Sequence, residues 1–162
     1  MNAKLPHFSS GNFKGLFVVI SALSLFLGGL IYLFLRPSEF LFFRWIDALG
    51  FENWLKISRQ STHFLIPFFP DWIIYSLPDG LWAFAYALLI SVIWSESKSR
   101  IKYLWMVSIP VLVLGFEFLQ IGGMISGTFC IQDIAFGLAG IISGILIGSN
   151  LTKLKNHEKE KI

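Results

Sequence analysis

The chain has 162 residues, of which 55% are hydrophobic and only 14% charged, with a formal net charge of +3. A soluble domain carries about 25% charged residues, so the composition excludes an ordinary water-facing fold. The lone cysteine, Cys130, excludes an internal disulfide and gives no support to a metal site. The basic residues stand at the edges of apolar runs, which points to orientation in a bilayer and not to nucleic acid.

The first apolar run is Gly15 to Leu35, 21 residues without a charge. As a helix it covers about 30 Å, the thickness of a hydrocarbon core. Lys4 and Lys14 precede it and Arg36-Pro37 ends it. A cleaved signal peptide would have an apolar stretch of about 7–15 residues and a small-residue cleavage site. An uncleaved first span over 15–35 is therefore expected.

An outer segment, 36–78, follows. Glu39 to Arg59 mixes aromatic residues with Arg44, Asp47, Glu52, Lys56 and Arg59, the pattern of a helix lying along the interface. Phe64 to Leu77 is apolar but short, and Pro67 and Pro70 break it. It is expected to be re-entrant or interfacial, with a fifth span as the alternative. The second span is expected over 79–94, with Ser76 as cap, Pro78 in the first turn and Asp79 at the positive dipole end. The third covers 103–120 and contains Pro110, which removes a backbone bond and predicts a kink. The fourth covers 131–149, and a charged tail, 150–162, is expected to fray. The fold class is thus an all-α membrane protein, one domain over 1–162 with four transmembrane helices.

Orientation follows from the basic residues. With a cytoplasmic N-terminus, nine Lys and Arg fall inside: Lys4, Lys14, Lys98, Arg100, Lys102, Lys153, Lys155, Lys159 and Lys161. Four fall outside: Arg36, Arg44, Lys56 and Arg59. Both ends are then cytoplasmic, and a multi-pass protein of the cytoplasmic (inner) membrane is expected.

In that topology three acids share one depth. Asp79 opens the second span, Glu117 lies near the outer end of the third with Gln120 on the same face, and Asp133 opens the fourth. Ionisable groups near hydrocarbon are costly and face a bundle interior or a watery cavity. An outward-facing acidic pocket is expected, with His63 and Trp82 at its rim. Helix capping alone also accounts for Asp79 and Asp133. Glu117 is harder to explain so, because it sits where its own helix dipole disfavours negative charge.

Gly140, Gly144 and Gly148 recur every four residues, with Gly137 one turn from Asp133. The second span carries a matching strip of Ala83, Ala87 and Ser91. Small residues at this spacing let two helix backbones approach. Pairing of these two spans within the chain is the simplest account, and a homodimer is the alternative. The sequence contains no HExxH, no CxxC pair, no phosphate loop with a lysine and no nucleophile elbow. No metal or cofactor is expected.

Glu117-Phe-Leu-Gln120, then Gly127-Thr-Phe, Asp133 and Gly140, together with Leu77-Pro-Asp-Gly-Leu-Trp82, resemble the VanZ-like family of small bacterial membrane proteins. The resemblance covers about residues 76–148. The chain departs from the family pattern in having no Arg between Gln120 and Asp133, Gly137 where an Asn is common, and Cys130 where an acid is common. The resemblance implies an envelope-related role, akin to glycopeptide resistance. On this reading the protein is non-enzymatic and its partners are the lipid bilayer and an envelope lipid, a glycopeptide or a membrane protein. Two alternatives stand beside it. One is an enzyme acting on a lipid-linked substrate, with Glu117 as acid or base beside Asp79 or Asp133. The other, ranked last, is a proton-coupled transporter, which needs ionisable groups through the full membrane depth.

Overall fold

The computed structural model describes residues 10–36, 48–95, 97–124 and 129–159, with side chains between Lys14 and Asn150. Over these residues the protein is helical throughout, without strands. The helices are α1 (Ser10–Leu35), α2 (Glu52–Thr62), α3 (Asp71–Tyr75), α4 (Leu77–Ile93), α5 (Ile101–Ile121) and α6 (Ile131–Lys159), with a 3-10 helix at His63–Phe68 between α2 and α3. Among the described residues, three stretches are long and apolar enough to cross a membrane: Lys14–Leu35, Ile101–Ile121 and Ile131–Asn150. The helix α4 is apolar but shorter, at 17 residues.

The shortest of the four apolar helices is also the most covered. Ala85, Ala87 and Leu88 in α4 have no exposed surface, and Gly80, Ala83, Ile90 and Ser91 are buried with them. Its small residues explain this. A Cβ built on Gly140 would meet the Gly80 carbonyl oxygen and the Phe84 nitrogen, and one on Gly144 would meet the Phe84 oxygen, the Ala87 Cβ and the Leu88 nitrogen. Gly148 lies against Ser91, and Gly80 against the Phe136 backbone. The two backbones are thus in direct contact, which only residues lacking a side chain permit. The contacts climb both helices together, from Gly80 with Phe136 to Ser91 with Gly148, so α4 and α6 run parallel. The Ser91 hydroxyl donates to the Ala87 carbonyl at 2.7 Å, so its polarity is absorbed within the helix.

Gly137 does not belong to this contact. It faces Val113 of α5, whose Cγ1 lies 2.5 Å from the place a Cβ would occupy. A three-residue step separates Gly137 from Gly140, which rotates it by about 60° around the helix, off the row of four-residue steps and toward α5. On the far side of α4, Gly28 of α1 accommodates the Trp82 ring, whose Nε1 donates to the Leu25 carbonyl at 3.3 Å. The Tyr32 ring packs beside it, 5.4 Å between centroids. Leu23, Phe26, Leu104, Phe118, Ile142 and Leu146 remain exposed, as lipid-facing residues would be.

Several boundaries differ from expectation. Of the expected interfacial helix from Glu39 to Arg59, the part from Glu52 lies in α2, which runs on to Thr62; Gly50, with a φ of 81°, turns the chain before it, and residues 37–47 lie outside the described part. Between His63 and Tyr75 the chain forms two short helical pieces, with Pro70 in an extended conformation where they part. The second apolar helix starts at Leu77, not 79. Its expected cap is absent, since Ser76 makes no side-chain capping bond; the residue is itself nearly helical and joins α3 to α4. The expected kink site, Pro110, lies inside a helix that continues on both sides. The tail does not fray at 150, and helix extends to Lys159. α5 ends in a Schellman motif: Met124 N–H donates to Leu119, Gly123 N–H to Gln120, and Gly123 has a φ of 65°.

Because Gly144 faces backbone atoms that cannot move aside, Gly144→Leu should destabilise the protein by about 1–3 kcal/mol or more. Gly29→Leu, at a position with nothing within 4 Å, should leave the melting temperature in detergent nearly unchanged. Equal melting temperatures for the two variants would refute the packing.

Candidate functional site

The contacts that set the bundle also bring four helix ends to one level. Along α1 and α4 they run in opposite directions, from Leu25 with Trp82 to Arg36 with Asp79. Along α5 and α6 they do the same, from Val113 with Gly137 to Glu117 with Cys130. The C-terminal ends of α1 and α5 therefore meet the N-terminal ends of α4 and α6. Arg36, Ser76, Asp79, Glu117, Gln120 and Asp133 stand at this one head of the bundle. Asp133 and Glu117 are each close enough to Asp79 to repel it electrostatically, and to repel one another.

Glu117 is buried, at 6% exposure. Its Oε2 accepts a hydrogen bond from the Cys130 backbone N–H at 3.2 Å. Cys130 directly precedes α6, and its carbonyl accepts from the Asp133 N–H at 3.1 Å. The carboxylate therefore sits at the positive end of α6, which offsets the unfavourable C-terminal end of its own helix. This partner does not follow from α5 alone, which is why the residue looks anomalous in the sequence.

Asp79 is no simple cap. Its Oδ2 lies 3.1 Å from the Arg36 guanidinium, which also donates to the Ile74 carbonyl at 3.4 Å and to the Tyr75 carbonyl. Arg36 stands 4.8 Å from the Tyr32 ring centre and 5.9 Å from that of Tyr75. Planar, delocalised and weakly hydrated, a guanidinium suits such a site. Arg59 of α2 donates to the Leu33 carbonyl at 2.8 Å and to the Arg36 carbonyl. Burial lowers its pKa from the ordinary arginine value. These bonds satisfy the last carbonyls of α1, which its own helix cannot. Sequence reasoning left Arg36 as a span terminator; the signal lay in its level, the same as that of Asp79 across an antiparallel pair.

Three polar atoms at the head are buried with no hydrogen-bond partner: Ser76 Oγ, Gln120 Oε1 and Asp133 Oδ1. Of the two expected rim residues, Trp82 is wedged against α1, because its N–H finds a carbonyl there. His63 is exposed and lines an open hollow of about 510 Å3 that reaches Arg36 of the head, with Arg59, Asp71 and Tyr75. Among the described residues no three His, Cys, Asp or Glu are grouped to hold a metal ion. Gly127 and Thr128 lie outside the described residues. No family model, no curated protein and no solved structure matches the chain.

Removing Arg36 should cost more than removing its partner, because Arg36→Met also strands the α3 carbonyls. A fully buried pair loses about 3–5 kcal/mol when one side is deleted. The Asp79 side chain keeps 36% of its surface, so about 1–3 kcal/mol is expected for Arg36→Met and less for Asp79→Asn. Thermal unfolding of both variants and the double variant should give non-additive losses; strictly additive losses would mean that the pair does not interact.

Proposed function

We propose that the chain is a four-span protein of the VanZ-like kind in the cytoplasmic membrane, with both termini inside and the polar head of the bundle outside. The distribution of basic residues, nine against four, supports this orientation. The fourth crossing is the helical path through α3, Ser76 and α4. Five and 17 residues on either side of Ser76 make a path of about 34 Å at 1.5 Å per residue, enough for a bilayer. The segment before it, from Glu52 to Phe68, lies along the outer interface, with Phe51, Trp54, Ile57, Phe64 and Phe68 exposed to the headgroup region.

The function we propose is binding of an envelope component at the outer head, without catalysis. The observation that carries it is the gathering of Asp79, Glu117 and Asp133 with unpaired buried acceptors at one end of the bundle. Such groups are expensive in a membrane protein and persist where a ligand uses them. Binding is favoured over acid–base chemistry because two of the three carboxylates are already engaged, Asp79 by Arg36 and Glu117 by the Cys130 amide. The VanZ-like resemblance makes an envelope lipid, a glycopeptide or a membrane partner the ligand class.

In cells, Glu117→Gln and Asp133→Asn should each change sensitivity to envelope-directed drugs at unchanged protein level. Gly29→Leu serves as the neutral control. Wild-type sensitivity of both acid variants across a panel that includes glycopeptides would contradict the role.

A further inference from the structure

We infer that the hollow between α1, α2 and α3 seats a phosphodiester, the group that joins a phospholipid's headgroup to its glycerol. This is a second site beside the acidic head. It rests on the reading of Glu52 to Phe68 as an interfacial segment only for its access to lipid.

The hollow encloses about 510 Å3, within the usual range for small-ligand sites. Arg36, Arg59 and His63 all line it. His63 follows Arg59 by four residues and keeps helical backbone angles past the end of α2, so the two side chains leave one face. Backbone carbonyls hold the guanidiniums in place, those of Leu33 and Arg36 for Arg59 and those of Ile74 and Tyr75 for Arg36. Bonds to neutral carbonyls fix the plane of a guanidinium without cancelling its charge. Its five N–H donors form a fork that matches two phosphate oxygens, and an imidazole adds a further N–H. Three donor side chains thus converge on one open space.

Two features narrow the anion. Asp71 is exposed and also lines the hollow. Its carboxylate opposes a phosphate monoester, which is nearly doubly charged at pH 7, more than a singly charged diester. The rest of the lining is largely apolar, Leu35 and Ile66 among it. Inorganic phosphate would leave that wall wet, whereas glycerol and the first methylenes of an acyl chain would cover it. Phe64 and Phe68, on either side of Ile66 in the 3-10 helix, are 66% and 79% exposed. Exposed rings on such a segment settle at the headgroup boundary, the level at which a lipid carries its diester.

The diester comes from a membrane phospholipid or from a free phosphodiester. The full-length protein in dodecyl maltoside, a detergent without phosphate, is titrated with three probes. These are phosphatidylglycerol, a glucosyl diacylglycerol with the same acyl chains, and glycerophosphoglycerol, the diester without chains. Native mass spectrometry counts the molecules bound. Phosphatidylglycerol should bind about tenfold or more tightly than the glucosyl lipid, the gain expected for hydrogen bonds to a charged group. Binding of the lipid alone assigns a membrane phospholipid, and equal binding of glycerophosphoglycerol assigns a free diester. His63→Ala, at an exposed position, should leave the melting temperature unchanged and weaken binding about tenfold. Arg59→Lys keeps the charge without the fork and should also weaken it. Lys56→Ala, on α2 but outside the hollow, should bind as the wild type does.

Equal affinity for the two lipids would overturn the inference, as would wild-type affinity in either His63→Ala or Arg59→Lys. An equal loss in Lys56→Ala would also overturn it, since binding would then follow charge spread over the surface. The titration needs no membrane and no sidedness. Failure there sinks this inference and leaves the envelope role, whereas unaltered drug sensitivity in the Glu117 and Asp133 variants sinks that role and leaves this inference.

Discussion

Backbone-to-backbone contact between α4 and α6 sets the level of every other group in the bundle. Gly80, Gly140 and Gly144 bring the two helices closer than any pair bearing side chains could come. Lipid offers no hydrophobic drive between apolar helices, so such association depends on close packing. The parallel direction matters as much as the closeness. It puts the first turns of both helices, with Ser76, Asp79 and Asp133, at one end. Antiparallel neighbours on either side then deliver the last turns of α1 and α5 to the same place.

Four helix ends at one level create both a difficulty and a means of meeting it. Two ends present unpaired N–H groups and two present unpaired carbonyls. The carboxylate of Glu117 accepts from the residue that opens α6, and the guanidinium of Arg59 bonds the carbonyls that close α1. Arg36 reaches from α1 to the carbonyls of α3 and to Asp79. After these pairings Ser76, Gln120 and Asp133 still hold bare buried atoms. Structural need does not account for them, which is why they carry the functional reading.

Much of this was legible in the sequence, and the limits have physical causes. Long uncharged runs announce apolar helices, because a lipid-exposed segment must satisfy its backbone internally. The spacing of Gly140, Gly144 and Gly148 marks a face, and the Ala83, Ala87 and Ser91 strip its counterpart. Gly137 was misplaced because a glycine in helical phase says nothing of which neighbour it meets. Trp82 was misplaced for a similar reason: its depth matches the acids, but its N–H turns to α1. Arg36 was invisible as a partner because its bond to Asp79 spans 43 positions and exists only when α1 packs against α4. Ser76 looked like a cap by residue type, whereas its hydroxyl makes no bond to the first turn of α4 and its backbone is already nearly helical. The first acidic turn and the depth of Glu117 were readable; the amide that balances Glu117 belongs to another helix.

The α4–α6 contact can be tested directly with a cysteine pair. Position 148 places its Cβ against that of Ser91, and its nearest neighbours are side-chain atoms alone, so a disulfide there needs only slight relaxation. In a Cys130→Ser background, Ser91→Cys with Gly148→Cys in native membranes should oxidise to a bridge within one chain, so that fragments cut between α4 and α5 stay joined until reduction. A pair that stays open under oxidant, or that links two chains into a dimer, would contradict the packing on which the polar head depends.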